Sequence, residues 1–456
     1  MKRLKAQLTV LLLSTLCLFT GAYGQIIPGG DAATLRKASP VQRQPATSEP
    51  IVPEQEAAKP PDYTVLYTFT GGTDGAVPYG ASLIRDREGN LYSTTNGGGN
   101  DSDCSAGDPP GCGVVFTLDG AGTETVLYTF TGGTDGAIPF AGLIRDAKGN
   151  LYGTTSSGGS GILPAGTVFK LDNTGQLTVL HSFCSAANCA DGNTPYAGVI
   201  RHAGNLYGTT LGGGEFCMEY GGCGVVFRVD RTGNETVLYN FCPNGWGKCT
   251  DGAFPQAGLI RDAAGNLYGT TSGGGAHGVG TVFKLCPTGA ETVLYSFAGG
   301  ADGANPFAGL IRDEAGNLYG TTTGGGPSGQ GTVFKVDPAG SETVLYSFTG
   351  GTDGGYPEAG LIRDEKGNLY GTTFFGGLDS PFCSYFCGVV FKVDTTGLET
   401  VLYSFTGGAD GLNPGAGLML GKGGDLYGTT AYGGADSDPS CATGIGCGVV
   451  FKLTRR

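Results

Sequence analysis

One phrase recurs through this chain almost unchanged. It reads "GLIRDAKGNLYGTT" at 142–155, "GLIRDAAGNLYGTT" at 258–271, "GLIRDEAGNLYGTT" at 309–322 and "GLIRDEKGNLYGTT" at 360–373. It is part of a longer unit of four words in fixed order: a "TVLYTF" type, "GLIRD", "NLYGTT", and "GVVF" or "GTVF". Each word occurs seven times, some copies with substitutions. The Asp of an "Asp-Gly" dipeptide marks each unit: Asp74, Asp135, Asp191, Asp251, Asp302, Asp353 and Asp410, spaced 51 to 61 residues apart. Four strand-like words at this period are the signature of a β-propeller blade. The words are built of Val, Leu, Ile, Tyr, Phe and Thr and are bounded by Gly, Asp, Asn and Pro, which is strand-and-turn chemistry. With 88 glycines in 456 residues, a helical reading fails. A β-solenoid is the structural rival, but its repeats are shorter and more regular.

The word before a "GN-Y" hairpin reads as the inner strand of a blade. "GLIRD" is then strand A, "NLYGTT" strand B, "VFKLD" strand C and "ETVLYSF" the outer strand D. The chain starts with a D word at 64–69 and ends with a C word at 448–453. The orphan D completes the last blade, which closes the ring and removes an exposed sheet edge. The expected fold is all-β: a seven-bladed β-propeller of four-stranded blades over 62–456. The tight "RDEAGN" and "VDPAGSE" connections carry Asp-x-x-Gly, a type I turn followed by a left-handed glycine.

The phrases "AGLIRDxxGNLYGTT", "GTVFK" and "ETVLYSFTGGxDG" resemble the GloVer (Gloeo/Verruco) tandem-repeat family of secreted bacterial proteins, over about residues 63–453. The resemblance implies secretion and no particular activity. Members often carry C-terminal sorting anchors, and no such segment follows "FKLTRR" here.

Residues 1–24 read as a signal peptide, with basic "MKRLK", apolar "LTVLLLSTLCLF" and a small-residue end. Residues 25–61, with seven prolines, read as a flexible linker. The formal net charge is −13, and loss of Lys2, Arg3 and Lys5 with the leader makes it −16. That argues against nucleic acid and anionic membranes as partners. The expectation is a secreted monomer without a transmembrane segment in its mature form.

Length variation is confined to two of the four connections. The B–C loops run from 8 to 17 residues and the D–A loops from 8 to 13, whereas the C–D turn has one length and the A–B turn shortens only at 200–205. The two variable connections share one rim, and a rigid scaffold with variable loops on one face is the layout of a binding or catalytic surface.

Thirteen cysteines follow the leader. Twelve fall into local pairs: Cys104/Cys112, Cys184/Cys189, Cys217/Cys223, Cys242/Cys249, Cys383/Cys387 and Cys441/Cys447, with Cys286 left over. Members of a pair are gained and lost together between copies, as disulfides require. The pairs lack His support for zinc, so no metal and no cofactor are expected.

The Asp-Gly ring could bind cations, but its presence in every blade favours a turn-shaping role. The Arg ending strand A in six copies reads as inter-blade pairing with the Asp beside it. His277, in a Gly-rich loop, is the one catalytic candidate among three histidines. The densest concentration of unusual features is the sector of copies three and four: three cysteine pairs, Trp246 as the single Trp, and Glu215, Phe216, Glu219 and Tyr220. These five residues are the candidate contact site. The expected function is non-enzymatic binding of an extracellular glycan or protein on the disulfide-stiffened rim. The alternative is a polysaccharide lyase or glycoside hydrolase with its site on the same rim.

Overall fold

The computed structural model describes residues 61–99, 104, 110–215, 222–245, 248–380, 383, 387–434, 441 and 446–455. Residues 1–60, which hold the expected signal peptide and nearly all of the expected linker, lie outside them. Seven four-stranded antiparallel sheets form a seven-bladed propeller. In blade 1, strands A to D are Ile84–Arg85, Leu91–Thr95, Val114–Leu118 and Glu124–Thr129. Blades 2 to 6 repeat this order along the chain. Blade 7 takes Met419–Leu420, Leu426–Thr430 and Val449–Thr454 from the C-terminal end, and its outer strand is Asp62–Thr68 from the other end. Asp62 stands opposite Thr454 and Thr68 opposite Val449. The register shift at Val65/Tyr67 recurs between C and D of the other blades, as at Val115/Phe116. The N-terminal strand therefore fits its slot as an ordinary D strand.

The repeated words are explained by what they do at the seams. Strand C is buried on both faces: Val114, Val115 and Phe116 are inaccessible, so apolar–polar alternation is absent from the sequence there. The Phe closing each D word packs edge-on against the strand C Phe of the next blade, as in Phe69–Phe116, Phe130–Phe169 and Phe405–Phe451, with centroids 5.2–5.3 Å apart. The first Thr of "GTT" donates to a carbonyl at the start of the next blade's inner strand. Thr154 reaches Ala197 O at 2.9 Å, Thr209 reaches Ala257 O at 2.9 Å, and Thr429 reaches Pro78 O across the closure at 2.9 Å. Each such buried bond contributes about 1 kcal/mol.

Four of the six strand A arginines lie over the strand B tyrosine of the neighbouring blade: Arg85 over Tyr427, Arg145 over Tyr92, Arg201 over Tyr152 and Arg312 over Tyr268, at 5.5–5.9 Å. This differs from the expected Arg–Asp pairing. The adjacent Asp is occupied within its own turn: Asp86 accepts from the Asn90 backbone, the Asn90 side chain and the Tyr92 hydroxyl. Copy seven has Leu420 in place of Arg, and Arg455 takes over, lying 4.2 Å from the centroid of the otherwise uncovered Tyr370.

Entry into the inner strand is a fixed kink. The residue before the repeated Pro is left-handed in all seven copies: Val77, Ile138, Thr194, Phe254, Asn305, Tyr356 and Asn413, with φ of 53–59°. For β-branched residues that costs about 1 kcal/mol or more. Backbone bonds on both sides hold it. Ile138 N–H donates to Cys112 O of the preceding copy's loop at 2.9 Å, and Ile138 O accepts from Ser156 N–H at 3.0 Å. The kink delivers the residue after Pro to the channel mouth. Bridges between D–A and B–C loops of one copy, such as Ala137 with Ser157, place both variable loops on that same rim.

Candidate functional site

The seven inner segments enclose a channel with a cavity of about 600 Å³. Its throat is lined by Ser82, Gly142, Gly198, Gly258, Gly309, Gly360 and Gly417. Small residues are needed there because neighbouring inner strands nearly touch: a Cβ on Gly142 would fall 2.7 Å from Ser82 O. Above the throat stand the residues following Pro, one per blade: Tyr79, Phe140, Tyr196, Gln256, Phe307, Glu358 and Gly415. Here one position of an otherwise repeated phrase holds five residue types across the seven blades, all lining one shared cavity. Among the described residues of that lining Glu358 is the one charged residue, with no Lys, Arg or His beside it.

The irregularities of copies one, six and seven meet at one point. Copy one carries an extra residue, Gly80, after Tyr79; its φ is +75°, and a Cβ there would strike Phe140 O at 2.6 Å. Copy one also has Ser93 where the other copies have Gly, and its hydroxyl donates to Ala81 O at 3.0 Å, beside the extra residue. Copy seven offers Gly415 where a side chain would collide with the Tyr79 ring, 2.6 Å from its would-be Cβ. Tyr79 thus lies across the blade 7 position, and its hydroxyl donates to Glu358 Oε2 of blade 6. Copy six supplies Phe374 and Phe375, where copy five carries Thr323 and Gly324 and copy seven Ala431 and Tyr432.

These rings form a continuous path. Tyr356 and Phe375, both exposed, meet at 5.5 Å; Phe375 touches Phe374 at 4.9 Å, Phe374 touches Tyr79 at 5.6 Å, Tyr79 touches Phe140 at 5.0 Å, and Phe140 touches Tyr196 at 4.7 Å. Asn413 holds the Phe374 carbonyl at 2.7 Å. Opposite the arc, Gln256 Nε2 donates to Ser272 Oγ at 2.8 Å. Burial raises the Glu358 carboxyl above its ordinary value, and the Tyr79 bond only partly opposes that. Burial, with the Glu358 charge, pushes the Tyr79 phenol well upward, so it stays a donor at neutral pH.

Of the five rim residues singled out by sequence, Glu215 is exposed, with its N–H bonded to Asn240 Oδ1 at 3.1 Å. Trp246, Phe216, Glu219 and Tyr220 lie outside the described residues. His277 is exposed on the blade 4 B–C loop and does not line the channel. The Asp-Gly carboxylates bind their own copy: Asp74 accepts from the Tyr67 hydroxyl, the Thr70 hydroxyl and Thr70 N–H, and Asp135, Asp353 and Asp410 repeat the arrangement. Asp251 and Asp302 likewise take a Tyr hydroxyl and a loop N–H, while Asp191 pairs with His181 Nε2 at 3.2 Å, the His standing in for that Tyr.

Disulfides join Cys104–Cys112, Cys184–Cys189, Cys242–Cys249, Cys383–Cys387 and Cys441–Cys447; Cys286 is a free thiol. Cys217 lies outside the described residues, and Cys223 is disulfide-bonded. The sulfurs of Cys223, Cys242 and Cys249 lie within 4.8 Å of one another. All three are oxidised, so none offers the thiolate a metal would need.

The channel residues were legible in principle. Aligning the seven copies on Pro exposes one column reading Tyr, Phe, Tyr, Gln, Phe, Glu, Gly inside an otherwise constant phrase. Loop length drew attention to the rim instead.

Among solved structures, the chain is similar to virginiamycin B lyase from Staphylococcus aureus, at 12% identity, TM-score 0.53, covering 87% of this chain and 100% of that one. It is also similar to the extracellular domain of a putative one-component system from B. thetaiotaomicron, at 16% identity, TM-score 0.49, with 88% and 42% covered. A gluconolactonase from Xanthomonas campestris aligns at 15% identity, TM-score 0.40, with 87% and 95% covered. At these identities the likeness concerns the fold alone. A search of curated proteins finds no match. The Gloeobacter/Verrucomicrobia repeat model matches residues 57–248 and 244–380, more than half of the chain. The repeated words and the family model agree: this chain is a member of the Gloeobacter/Verrucomicrobia repeat family.

Proposed function

We propose that this is an exported, non-enzymatic binding propeller that takes its ligand at the loop-rim mouth of the central channel. The observation that carries the reading is the convergence of Gly415, Glu358 and Phe374 on the single side chain of Tyr79, with the inserted Gly80 next to it in the chain. Neutral drift scatters departures; a shared contact point collects them. The cavity has the volume of a small-molecule site. An arc of rings leading in from the exposed rim suits a ligand with flat apolar faces, such as a glycan end. Non-enzymatic binding is supported by the lining itself, which among the described residues offers one carboxylate and no second acid, His or thiol to share proton transfer or nucleophilic work. The disulfides suit an oxidising compartment, and among the described residues no helix is long and apolar enough to cross a membrane.

Screening the purified protein against a glycan and small-molecule panel tests this reading. Binding should be lost in Tyr79→Ala/Phe140→Ala with the fold intact. Turnover of a panel member, or binding that depends on Trp246 and ignores Tyr79, contradicts it.

A further inference from the structure

Resting on that reading, we infer that the ligand carries a protonated amine, seated between Glu358 and the ring of Tyr79. Among the described residues, the cavity that Glu358 faces is lined by no cationic side chain, and the one hydrogen-bond donor to Glu358 is the Tyr79 hydroxyl on Oε2. A carboxylate half-removed from water without a cation is costly. The chain keeps it where five of the other six copies carry an aromatic ring or an amide. An ammonium group supplies the missing charge. It would form a charge-assisted bond to the open oxygen, and the ring of Tyr79, whose hydroxyl holds the other oxygen, adds cation–π attraction. The lining carries no positive charge to repel it, and the net charge of −13 draws cations in. Anionic ligands find no partner in this cavity.

The titratable groups around Glu358 are phenols: Tyr79 directly, then Tyr196 and Tyr432 beyond it. Tyr79 and Tyr196 are held upward by burial. Glu358 is therefore the group whose charge changes as pH falls through the carboxyl range, and amine affinity follows it.

The test compares 2-phenylethylammonium with its neutral isostere 2-phenylethanol by calorimetric titration of the full chain at pH 8. The ammonium should bind about tenfold or more tightly than the alcohol. Glu358→Gln should erase that preference with Tm unchanged, and Tyr79→Phe should keep part of it through the ring. The preference should shrink as pH falls toward 5. Equal affinities in the wild-type protein, or a preference that survives Glu358→Gln, overturn the amine assignment while a panel ligand lost in Tyr79→Ala/Phe140→Ala would leave the binding site standing. Absence of binding by both probes at millimolar concentration also overturns the amine assignment.

Discussion

The seam between blades 4 and 5 and the arc of blades 6, 7 and 1 are built from the same words and come out differently. At the first, Thr270 bonds Ala308 O at 3.1 Å, Phe297 packs edge-on against Phe334, and Arg312 covers Tyr268. Every residue there does what its counterparts do in other copies. Across the second, the inner strand has an inserted Gly80, the mouth position of blade 7 has lost its side chain at Gly415, and Tyr79 has filled the gap to reach Glu358. Strict repetition reports packing between blades. Coordinated departure from it reports a job that packing does not require.

The first way to break this comparison is to open the ring. Deleting 62–70 removes the outer strand of blade 7 and leaves Val449–Thr454 as an unpaired edge. Loss of cooperative unfolding and aggregation should follow, read by calorimetry and light scattering. A truncated chain as stable as the parent would mean the closure holds nothing together.

A smaller effect should come from pH. Five equivalent glutamates, Glu124, Glu235, Glu291, Glu342 and Glu399, begin strand D and have a buried, unpartnered Oε1. Burial, then repulsion from an Asp-Gly carboxylate, pushes each up to about 7. A carboxyl raised on folding binds more protons in the native state between its unfolded and folded values. Stability is therefore highest below about pH 4.5 to 5 on this account and falls as pH rises toward 7. The turn carboxylates Asp86, Asp146, Asp262, Asp313 and Asp364 act in the opposite sense. Burial opposes their charge, but bonds from Asn and Tyr outweigh it and lower them, so stability is also lost in stronger acid. A Tm profile should peak near pH 4–5 and decline by several degrees toward pH 8. The five-fold Glu→Gln variant should flatten the decline; a profile still falling in that variant places the cause elsewhere.

The smallest effect concerns blade 7's substitute arginine. Removing residues 455–456 uncovers Tyr370 and should cost about 0.5–1 kcal/mol. Leu420→Arg in the shortened chain should restore it. No loss on truncation would reduce Arg455 to a bystander.

The architecture was open to sequence reading because seven copies vote on each strand. The word order gave blade number, strand order and the pairing of 64–69 with 448–453, and paired gain and loss of cysteines pointed to the five loop disulfides of the described residues. Two things escaped for physical reasons. Adjacency in sequence suggests Asp as the arginine's partner; the twist of the blade instead lays Arg145 over Tyr92, a residue of the neighbouring blade. The channel mouth escaped because its residues are far apart in the chain. Tyr79 and Glu358 are separated by 279 positions and become neighbours only when the ring closes. Within one copy, Gly80 reads as a stray insertion and Gly415 as one glycine among many.

The most direct measurement regularises the arc. A variant with Tyr79→Phe, Gly80 deleted, Ser93→Gly, Glu358→Phe and Gly415→Phe carries the pattern of the ordinary copies at every mouth position it alters. Its Tm and its affinity for a ligand identified with the wild-type protein are then measured side by side. If the departures serve binding and the repeat serves packing, the variant unfolds at or above the wild-type temperature and no longer binds. If it keeps wild-type affinity, the channel mouth is not the site.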